Sequence, residues 1–587
     1  MILTIFFILT FTIYKFVLKN YLSKEIRLIF ATITSFVFNG VFVIPAHILQ
    51  IELTDVVYLL FTLITTIILI IVSTLFNKNN TGSLRLSASG NLRLSSDLIL
   101  IMSVLVSSLL VFYFHNKFGT EISFISMDPA GHFDMAWTFS KNRLLLIDQQ
   151  SLLRDYSTYP VLFYVNSGLL LTLFDSLGII KMIEAFNWFN WFIYVLIGLE
   201  VYFIIKIIDY KHIAVSVILL LLIMLCYPAN ILLTGFCSQM FAVLFFLGIV
   251  ISVLIEDQYK LKNSLYNIHT FLQNIFLIGL FLSYHYYIPE ILLSLFVFNI
   301  IKSNKPTMVQ KIFFSILTLL KKYFIALLVI LPLVKYYISS STIINADGGI
   351  TKDIYASFIL FIPGLIQPGF FKQNNKYNFI SILLLCTVLF STALYLLCIF
   401  KISSPYYFFK NYLMLSILLG LNTLVFFKNE TLKAYPVKVS AISFVILLLS
   451  LVSLKIRSDI IETGNNFIYY KNIEESRTLY NNAQMILVNN LIALNTKKEN
   501  TCIIESDLMT LVWFDELTNG IYFRGLRKDK DPWTWGKQGR NQGWKDLYFD
   551  KKCKLPDYKF VIDYKCTRND LSIVMQTDGG CIYKFKG

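Results

Sequence analysis

Long apolar segments follow one another through the first 457 residues of this chain, with short polar stretches between them. Segments near 1–18, 27–49 and 56–76 each have about the 20 residues that a helix needs to cross the hydrocarbon core of a bilayer. A polar stretch rich in Ser and Asn follows at 77–96, and the next apolar segment begins at Asp97. This pattern predicts a protein that crosses a membrane many times.

The remaining apolar segments bring the predicted number of membrane spans to about 13–14. They lie near 186–206, 213–230, 236–255, 270–302, 323–340, 354–371, 378–400, 406–427 and 439–456. The segment 270–302 is too long for one crossing and is interrupted by Ser283–Glu290, so it is predicted to form two helices that meet outside. The segment 354–371 contains Pro and Gly, and we expect it to cross because the later basic loops then share one side. The predicted fold is a mainly α, polytopic transmembrane helical bundle.

Composition supports a membrane protein and predicts its orientation. Of the 587 residues, 56% are hydrophobic and only 15% are charged, which is more apolar surface than a soluble protein can bury. The formal net charge is +15, and the basic excess lies in the membrane part. Basic residues near Lys15 and Arg27, in the loop 77–96 and in the loop 303–322 are predicted to be cytoplasmic, which leaves the loop 117–187 outside a plasma membrane. No clustered basic face indicates a nucleic-acid partner.

Two domains are predicted, a transmembrane domain at 1–457 and a soluble extracytoplasmic domain at 458–587. Charged residues, Asn, Gly and most of the tryptophans appear in the second. Its pattern predicts a mainly helical stretch at 468–495 and short strands at 559–563 and 571–575, an α+β arrangement. Four cysteines in this domain are expected to form one or two disulfides in an oxidising compartment, or else to remain free thiols; they are Cys502, Cys553, Cys566 and Cys581.

The external loop opens with an acidic motif, Ser126–Trp137, which holds Asp128 and Asp134 with His132 between them. A carboxylate at the outer membrane surface can take the proton of an acceptor hydroxyl, and a histidine can assist it. The intervening Pro and Gly predict a turn before a helix that starts at His132. The alternative is structural, with Asp128 capping that helix and Asp134 merely solvated.

Basic residues close behind the motif suit an anionic leaving group. Lys141 and Arg143 can meet a phosphate, or they extend to the membrane interface as ordinary lipid-facing side chains. A divalent cation, Mg²⁺ or Mn²⁺, held by Asp128 and Asp134 would serve the same purpose. Further candidates on the same loop, among which spacing does not choose, are Asp148, Arg154, Asp155 and Tyr159.

Two other groups combine aromatic and ionisable residues. His285 and Glu290 interrupt an apolar run at the predicted outer surface, where they are candidates for binding a donor phosphate; the alternative is an interfacial aromatic belt. Trp533 and Trp535 with Arg540 suit the face of a sugar, and with Tyr159 they are candidates for binding an acceptor. The alternative is that these tryptophans belong to the ordinary core of the C-terminal domain, with the charged residues at its rim.

The apolar stretch Tyr159–Phe174 is too short to span comfortably. It begins with Tyr159-Pro160, and a proline suits the first turn of a helix. We predict a helix that lies along the membrane interface.

The acidic motif Asp128–Asp134, the Tyr159-Pro160 pair with its apolar helix, and many spans before a C-terminal domain resemble the GT-C superfamily of polytopic glycosyltransferases. The resemblance implies a polyprenyl-phosphate-linked sugar donor, a glycan or glycolipid acceptor, and Asp128 as the catalytic base on the extracytoplasmic face. The chain departs from the family in having three spans before the one that leads into the loop, and in lacking an adjacent acidic pair. It also lacks a Trp-Trp-Asp motif, so a protein acceptor is not favoured.

Two other classes remain open at this stage. A transporter or flippase of lipid-linked saccharides would have charges within the membrane and paired broken helices. An envelope polysaccharide polymerase or ligase of unrelated fold would have its basic residues in a large late loop. The need for Asp128 in turnover separates the glycosyltransferase from both.

Overall fold

The computed structural model describes residues 2–18, 22, 24–48, 51, 53–79, 94–116, 128–142, 161–208, 213–225, 227–258, 268–338, 378–400, 410–427, 487, 490, 494, 501–504, 560–563, 566, 569, 571–577 and 580–584. Most of these residues are helical. The helices are α1 Ile2–Thr12, α2 Lys24–Ile48, α3 Asp55–Asn79, α4 Leu94–Asn116, α5 Asp128–Asn142, α6 Leu162–Leu171, α7 Ile179–Ile208, α8 Ile213–Leu225, α9 Tyr227–Thr234, α10 Cys237–Gln258, α11 Ile268–Tyr284, α12 Ile288–Lys302, α13 Met308–Lys322, α14 Phe324–Ile338, α15 Asn378–Ile399 and α16 Tyr412–Phe427.

Apolar helices long enough to cross a membrane confirm the predicted class of protein. Within the described residues five segments qualify, and the pair α13 and α14, bent by 73°, makes a sixth if it is one span. Six further apolar helices have only 10–17 residues. The structure therefore supports a helical membrane protein, and the described residues account for fewer long spans than the 13–14 predicted for the whole chain. Two of the predicted segments, 354–371 and 439–456, lie outside the described residues.

Helix α10 runs between two chemically different ends of the bundle. Beside its C-terminal end, Lys302 and Lys322 form ion pairs with Asp257 and Glu256, with N–O distances of 2.9 and 2.6 Å. The Lys206–Asp97 pair at the last turn of α7 belongs to this end as well, which we call the lysine end. The opposite end carries the start of α10 and helix α5, and we call it the α5 end.

The segment 268–302 forms two arms, as predicted. The amide of Gln273, early in α11, donates to Glu256 at the lysine end, and Lys302 at the end of α12 returns to the same place. Between the arms, the 3₁₀ turn His285–Tyr287 lies at the α5 end, where Gln239 donates to Tyr287. Both arms together are about 50 Å long at 1.5 Å per residue, too long for one crossing.

Helix α6 lies in the interior, and its predicted position along the membrane surface is therefore wrong. All its residues except Leu170 are buried, because its apolar side chains surround the helix axis instead of forming one face. Phe163 of α6 packs on Phe189 and Phe241 at ring-centroid distances of 5.8 and 5.9 Å. The same two rings pack on Phe36 of α2 at 5.9 and 5.3 Å. These rings join α2, α6, α7 and α10 into one core.

Two local predictions also need correction. The acidic motif has no separate turn, because α5 begins at Asp128 and includes the Pro and Gly within its first turn, where a proline is tolerated. The basic stretch 303–322 is mostly a helix, α13, and not a loop. Its start is fixed by Thr307, whose hydroxyl accepts from the backbone N–H of Gln310 at 3.3 Å.

The described part of the C-terminal region forms a four-stranded sheet, and its β2 and β3 match the predicted strands at 559–563 and 571–575, while most of the predicted helical stretch 468–495 lies outside the described residues. Its order is β1-β2-β4-β3, with β1 Thr501–Ile504, β2 Phe560–Asp563, β3 Ser572–Thr577 and β4 Gly580–Lys584. The β1–β2 pair is parallel and the other two pairs are antiparallel. A disulfide joins Cys566 to Cys581, one of the linkages the cysteine count allowed.

Candidate functional site

Helix α5 carries the acidic motif and packs closely on α6. A Cβ atom added to Gly168 of α6 would lie 2.6 Å from the backbone oxygen of Ala136, so only glycine permits this approach. Two residues earlier in α6, the side-chain amide of Asn166 accepts from Asn39 at 2.8 Å and donates to the carbonyl of Phe36 at 3.1 Å. These buried polar contacts hold the α5–α6 pair inside the bundle.

His132 and Asp134 are both buried, each with 3% of its surface exposed. On a helix of 3.6 residues per turn, Asp128 and His132 occupy one face a turn apart, and Asp134 lies on another face. The ring of His132 contacts Phe163 edge-on at 5.6 Å. The helical register therefore places positions 128 and 132 on one face of α5 and position 134 on another.

Asp134 shares its face of α5 with Trp137 and Lys141. The Lys141 ammonium lies 3.9 Å from the centre of the Trp137 ring, a cation–π contact. Desolvation lowers the pKa of Lys141 below its usual value, and the negative charges of Asp175 and Asp134 oppose that shift. Lys141 is thus a cation at the end of α5 with two carboxylates near it.

A second polar group surrounds the 3₁₀ turn between α11 and α12. The amide of Gln239 donates to the Tyr287 hydroxyl at 2.6 Å and to the backbone carbonyl of Lys410 at 2.7 Å. The Lys410 ammonium lies 4.4 Å from the centre of the Phe236 ring and 5.5 Å from that of Tyr284. Lys410 is buried, so the fold holds a cation between aromatic rings at the α5 end.

Glu290 lies in the first turn of α12, three residues after Tyr287, and is fully buried next to this group. The Thr387 hydroxyl donates to its Oε2 at 3.1 Å, and its Oε1 has no hydrogen-bond partner within the described part of the chain. Asn411, beside Lys410 in the chain, donates to Ser391 at 2.6 Å. A buried carboxyl that meets only neutral groups is costly, which is typical of functional positions in a membrane.

The structure brings His285 and Glu290 to the same end of the bundle as α5, as predicted, but on another side of α10. Gln239 and Phe241 are two residues apart and face opposite sides of that helix; the first contacts Tyr287 and the second contacts Phe163 of α6. No described contact joins the two groups. They are two adjacent sites separated by the wall of α10.

Several predicted residues lie outside the described part of the chain, and their roles stay predictions: Arg143, Asp148, Arg154, Asp155, Tyr159, Trp533, Trp535 and Arg540. Sequence reasoning missed Gln239, Lys410 and Asn411. The sequence does contain a pattern that could have identified them, because each is a polar residue near the start of an apolar segment. Within the described residues no group of three His, Cys, Asp or Glu side chains is arranged to hold a metal ion.

The fold and its apolar helices define a helical membrane protein with two buried polar sites at one end. Comparison with known proteins adds no narrower class. No protein-family model matches the chain, and no curated protein matches it either. The functional conclusion therefore depends on the residues themselves.

Proposed function

We propose that the protein is an integral membrane glycosyltransferase that moves a sugar from a polyprenyl-phosphate-linked donor to a glycan or glycolipid acceptor of the cell envelope. The observation that carries this proposal is the placement of α5. Its motif residues His132 and Asp134 are buried at the end of the bundle opposite the lysines. By the positive-inside rule that end is extracytoplasmic.

In the proposed reaction Asp128 acts as general base. The acceptor hydroxyl oxygen forms a bond to the anomeric carbon of the sugar while the bond from that carbon to the phosphate oxygen breaks. The hydroxyl proton passes to the Asp128 carboxylate, and the electron pair of the broken bond leaves with the polyprenyl phosphate. His132, one turn further along α5, is in register to support that carboxylate.

The leaving phosphate needs positive charge close by. Lys141, with Arg143 two residues later, lies about 20 Å along the helix from Asp128, so their predicted role at the phosphate does not fit a reaction centre at Asp128, and the positive charge comes from another group. A cation shared between Asp128 and Asp134 suits the helix less well, because residues six apart are offset by about 120° around the axis. Magnesium or manganese held through one of these carboxylates and the donor phosphate itself is compatible with the register.

The second polar group is assigned to the donor. His285 and Glu290 lie at the same end of the bundle as α5 but on the other side of α10, and with Gln239 they are assigned to a part of the donor away from the reacting carbon. Trp533, Trp535, Arg540 and Tyr159 are the candidates for acceptor binding. This assignment predicts that changes at Glu290 weaken donor binding more than they slow the chemical step.

A transporter of lipid-linked saccharide is the second candidate, and Glu200 favours it. This residue lies within α7, is fully buried, and neither carboxylate oxygen has a hydrogen-bond partner within the described residues. Carboxylates buried in membrane helices often belong to ion or proton pathways. A transporter would lose translocation on Glu200→Gln substitution and would form no new glycosidic bond.

The experiment that separates the two candidates uses the purified full chain in proteoliposomes with a radiolabelled polyprenyl-phosphate sugar and membrane acceptors. Formation of labelled acceptor that is lost in Asp128→Asn supports the glycosyltransferase. Movement of intact donor across the bilayer without any labelled product, lost in Glu200→Gln and retained in Asp128→Asn, contradicts it and supports the transporter.

A further inference from the structure

Helix α13 turns its apolar stripe away from the protein. Val309, Phe313, Ile316 and Leu320 follow the helical spacing of one face, and all four are exposed, with 76% of Val309 and 65% of Phe313 accessible. The one buried residue of the helix is Ser315, on the side that faces the bundle. An amphipathic helix on a water-facing surface would bury the apolar stripe and expose the serine.

The orientation of α13 is fixed by buried contacts at its C-terminal end. Lys322 forms the 2.6 Å ion pair with Glu256, and the backbone carbonyl of Lys322 accepts from Asn274 at 2.8 Å. The next residue, Tyr323, donates to Gln273 at 2.7 Å. These contacts join α10 and α11 to the elbow between α13 and α14. They fix the rotation of α13 about its own axis, so its apolar stripe is held facing away from the protein.

The geometry of this elbow places α13 along a membrane surface. Helix α14 is bent by 73° from α13, so when α14 runs across the bilayer α13 lies close to its plane. The exposed face of α14, including Leu328 and Leu331, continues the apolar surface of α13. A lipid layer that surrounds α14 therefore also covers the stripe of α13.

The charges in and beside α13 indicate which kind of lipid headgroup the helix would bind. Between 303 and 322 the chain has four lysines and no acidic residue. Lys322 is paired with Glu256, while Lys305 and Lys321 are exposed and Lys311 is partly exposed. Lysines beside an apolar helix face in the interface attract anionic lipid headgroups.

We propose that α13 is an interfacial helix that inserts Val309, Phe313, Ile316 and Leu320 into the acyl boundary and binds anionic lipid headgroups through Lys305, Lys311 and Lys321. The partner is an anionic lipid surface at the lysine end. This role is independent of the reaction proposed at the α5 end.

Depth of insertion is tested with the full chain in phosphatidylcholine vesicles that contain phosphatidylglycerol. A fluorescent amino acid replaces Phe313 in one variant, exposed Leu328 of α14 in a second, and exposed Lys181 at the α5 end in a third. We expect lipid-borne nitroxide to quench the labels at 313 and 328, and aqueous iodide to quench the label at 181. Iodide quenching at 313 without lipid quenching would overturn the proposal, and so would energy transfer between two labelled copies at 313 with no lipid quenching.

Lipid selectivity is tested by replacing Lys305, Lys311 and Lys321 together with Gln, with the triple Arg variant as the matched control. Native mass spectrometry then measures phosphatidylglycerol retained by the purified protein. Because each lysine near an anionic surface strengthens binding, we expect retention to weaken on the order of tenfold or more in the Gln variant and to persist in the Arg variant. Equal retention of phosphatidylglycerol by both variants and the unmodified protein would overturn the lysine assignment.

Discussion

The carboxylates at the two ends of the helical bundle have different partners. At the lysine end three carboxylates each meet a lysine at 2.6–2.9 Å; the pairs are Asp97–Lys206, Glu256–Lys322 and Asp257–Lys302. At the α5 end the fully buried Glu290 meets the neutral hydroxyl of Thr387, and no lysine or arginine pairs with it among the described residues. A paired carboxylate depends on its lysine, because removal of one partner leaves an uncompensated charge. A buried carboxyl without a counter-ion costs stability in the intact fold and is typical of a functional position.

The largest expected effect on stability is at the lysine end. Replacing Lys322 with Met leaves the largely buried Glu256 without its counter-ion, which we expect to cost up to about 3 kcal/mol of unfolding free energy. Unfolding of the purified protein in detergent measures it. The double variant Lys322→Met with Glu256→Gln is expected to recover most of the loss, and the exposed Lys181→Met to change little. If Lys322→Met is as stable as the unmodified protein, the pairs at this end do not stabilise the fold.

A smaller effect is expected where α5 meets α6. Gly168→Ala places a methyl group against the carbonyl of Ala136 and forces the helices apart, at an expected cost of about 1–3 kcal/mol. Gly131→Ala in α5 is the matched control, because a Cβ there meets no atom within 4 Å and alanine favours a helix. We expect sugar transfer to fall in Gly168→Ala and not in Gly131→Ala. Equal behaviour of the two would mean that close packing of α5 on α6 is not required.

The smallest effect on stability is expected at Glu290. Glu290→Gln keeps an oxygen to accept from Thr387, so the unfolding free energy is expected to change by less than about 1 kcal/mol. Binding of the labelled donor lipid is expected to weaken measurably in the same variant. Destabilisation as large as that of Lys322→Met would show that Glu290 is structural, and the contrast between the two ends would fail.

The sequence was sufficient for features that depend on local pattern. Helices of the membrane domain, the break at His285–Tyr287 and the strands near 560 and 572 follow from apolar periodicity and from polar interruptions. The alternation of basic and acidic segments along the chain also predicted that the lysines and α5 would lie at opposite ends. These are properties of short stretches of chain, which local propensity controls.

Features that depend on tertiary neighbours were not predictable in the same way. Gln239 and Lys410 are 171 residues apart and meet through one hydrogen bond that no local pattern reveals. The interior position of α6 was misjudged because its length suggested an interface, although apolar residues all around its axis indicate burial. The sequence pattern predicts a loop at 303–322 because the lysines of α13 obscure its apolar stripe.

The most direct test of the central claim is sugar transfer by Asp128→Asn. Labelled sugar is supplied on a polyprenyl-phosphate donor, product is measured at matched amounts of folded protein, and Glu184→Gln, a partly exposed acid near the start of α7 at the same end, is the control. We predict that Asp128→Asn lowers the rate of transfer by about 10²–10⁴-fold, as expected for loss of a general base, while donor binding persists. Unchanged transfer by Asp128→Asn would contradict the assignment of the base and of the active site to α5.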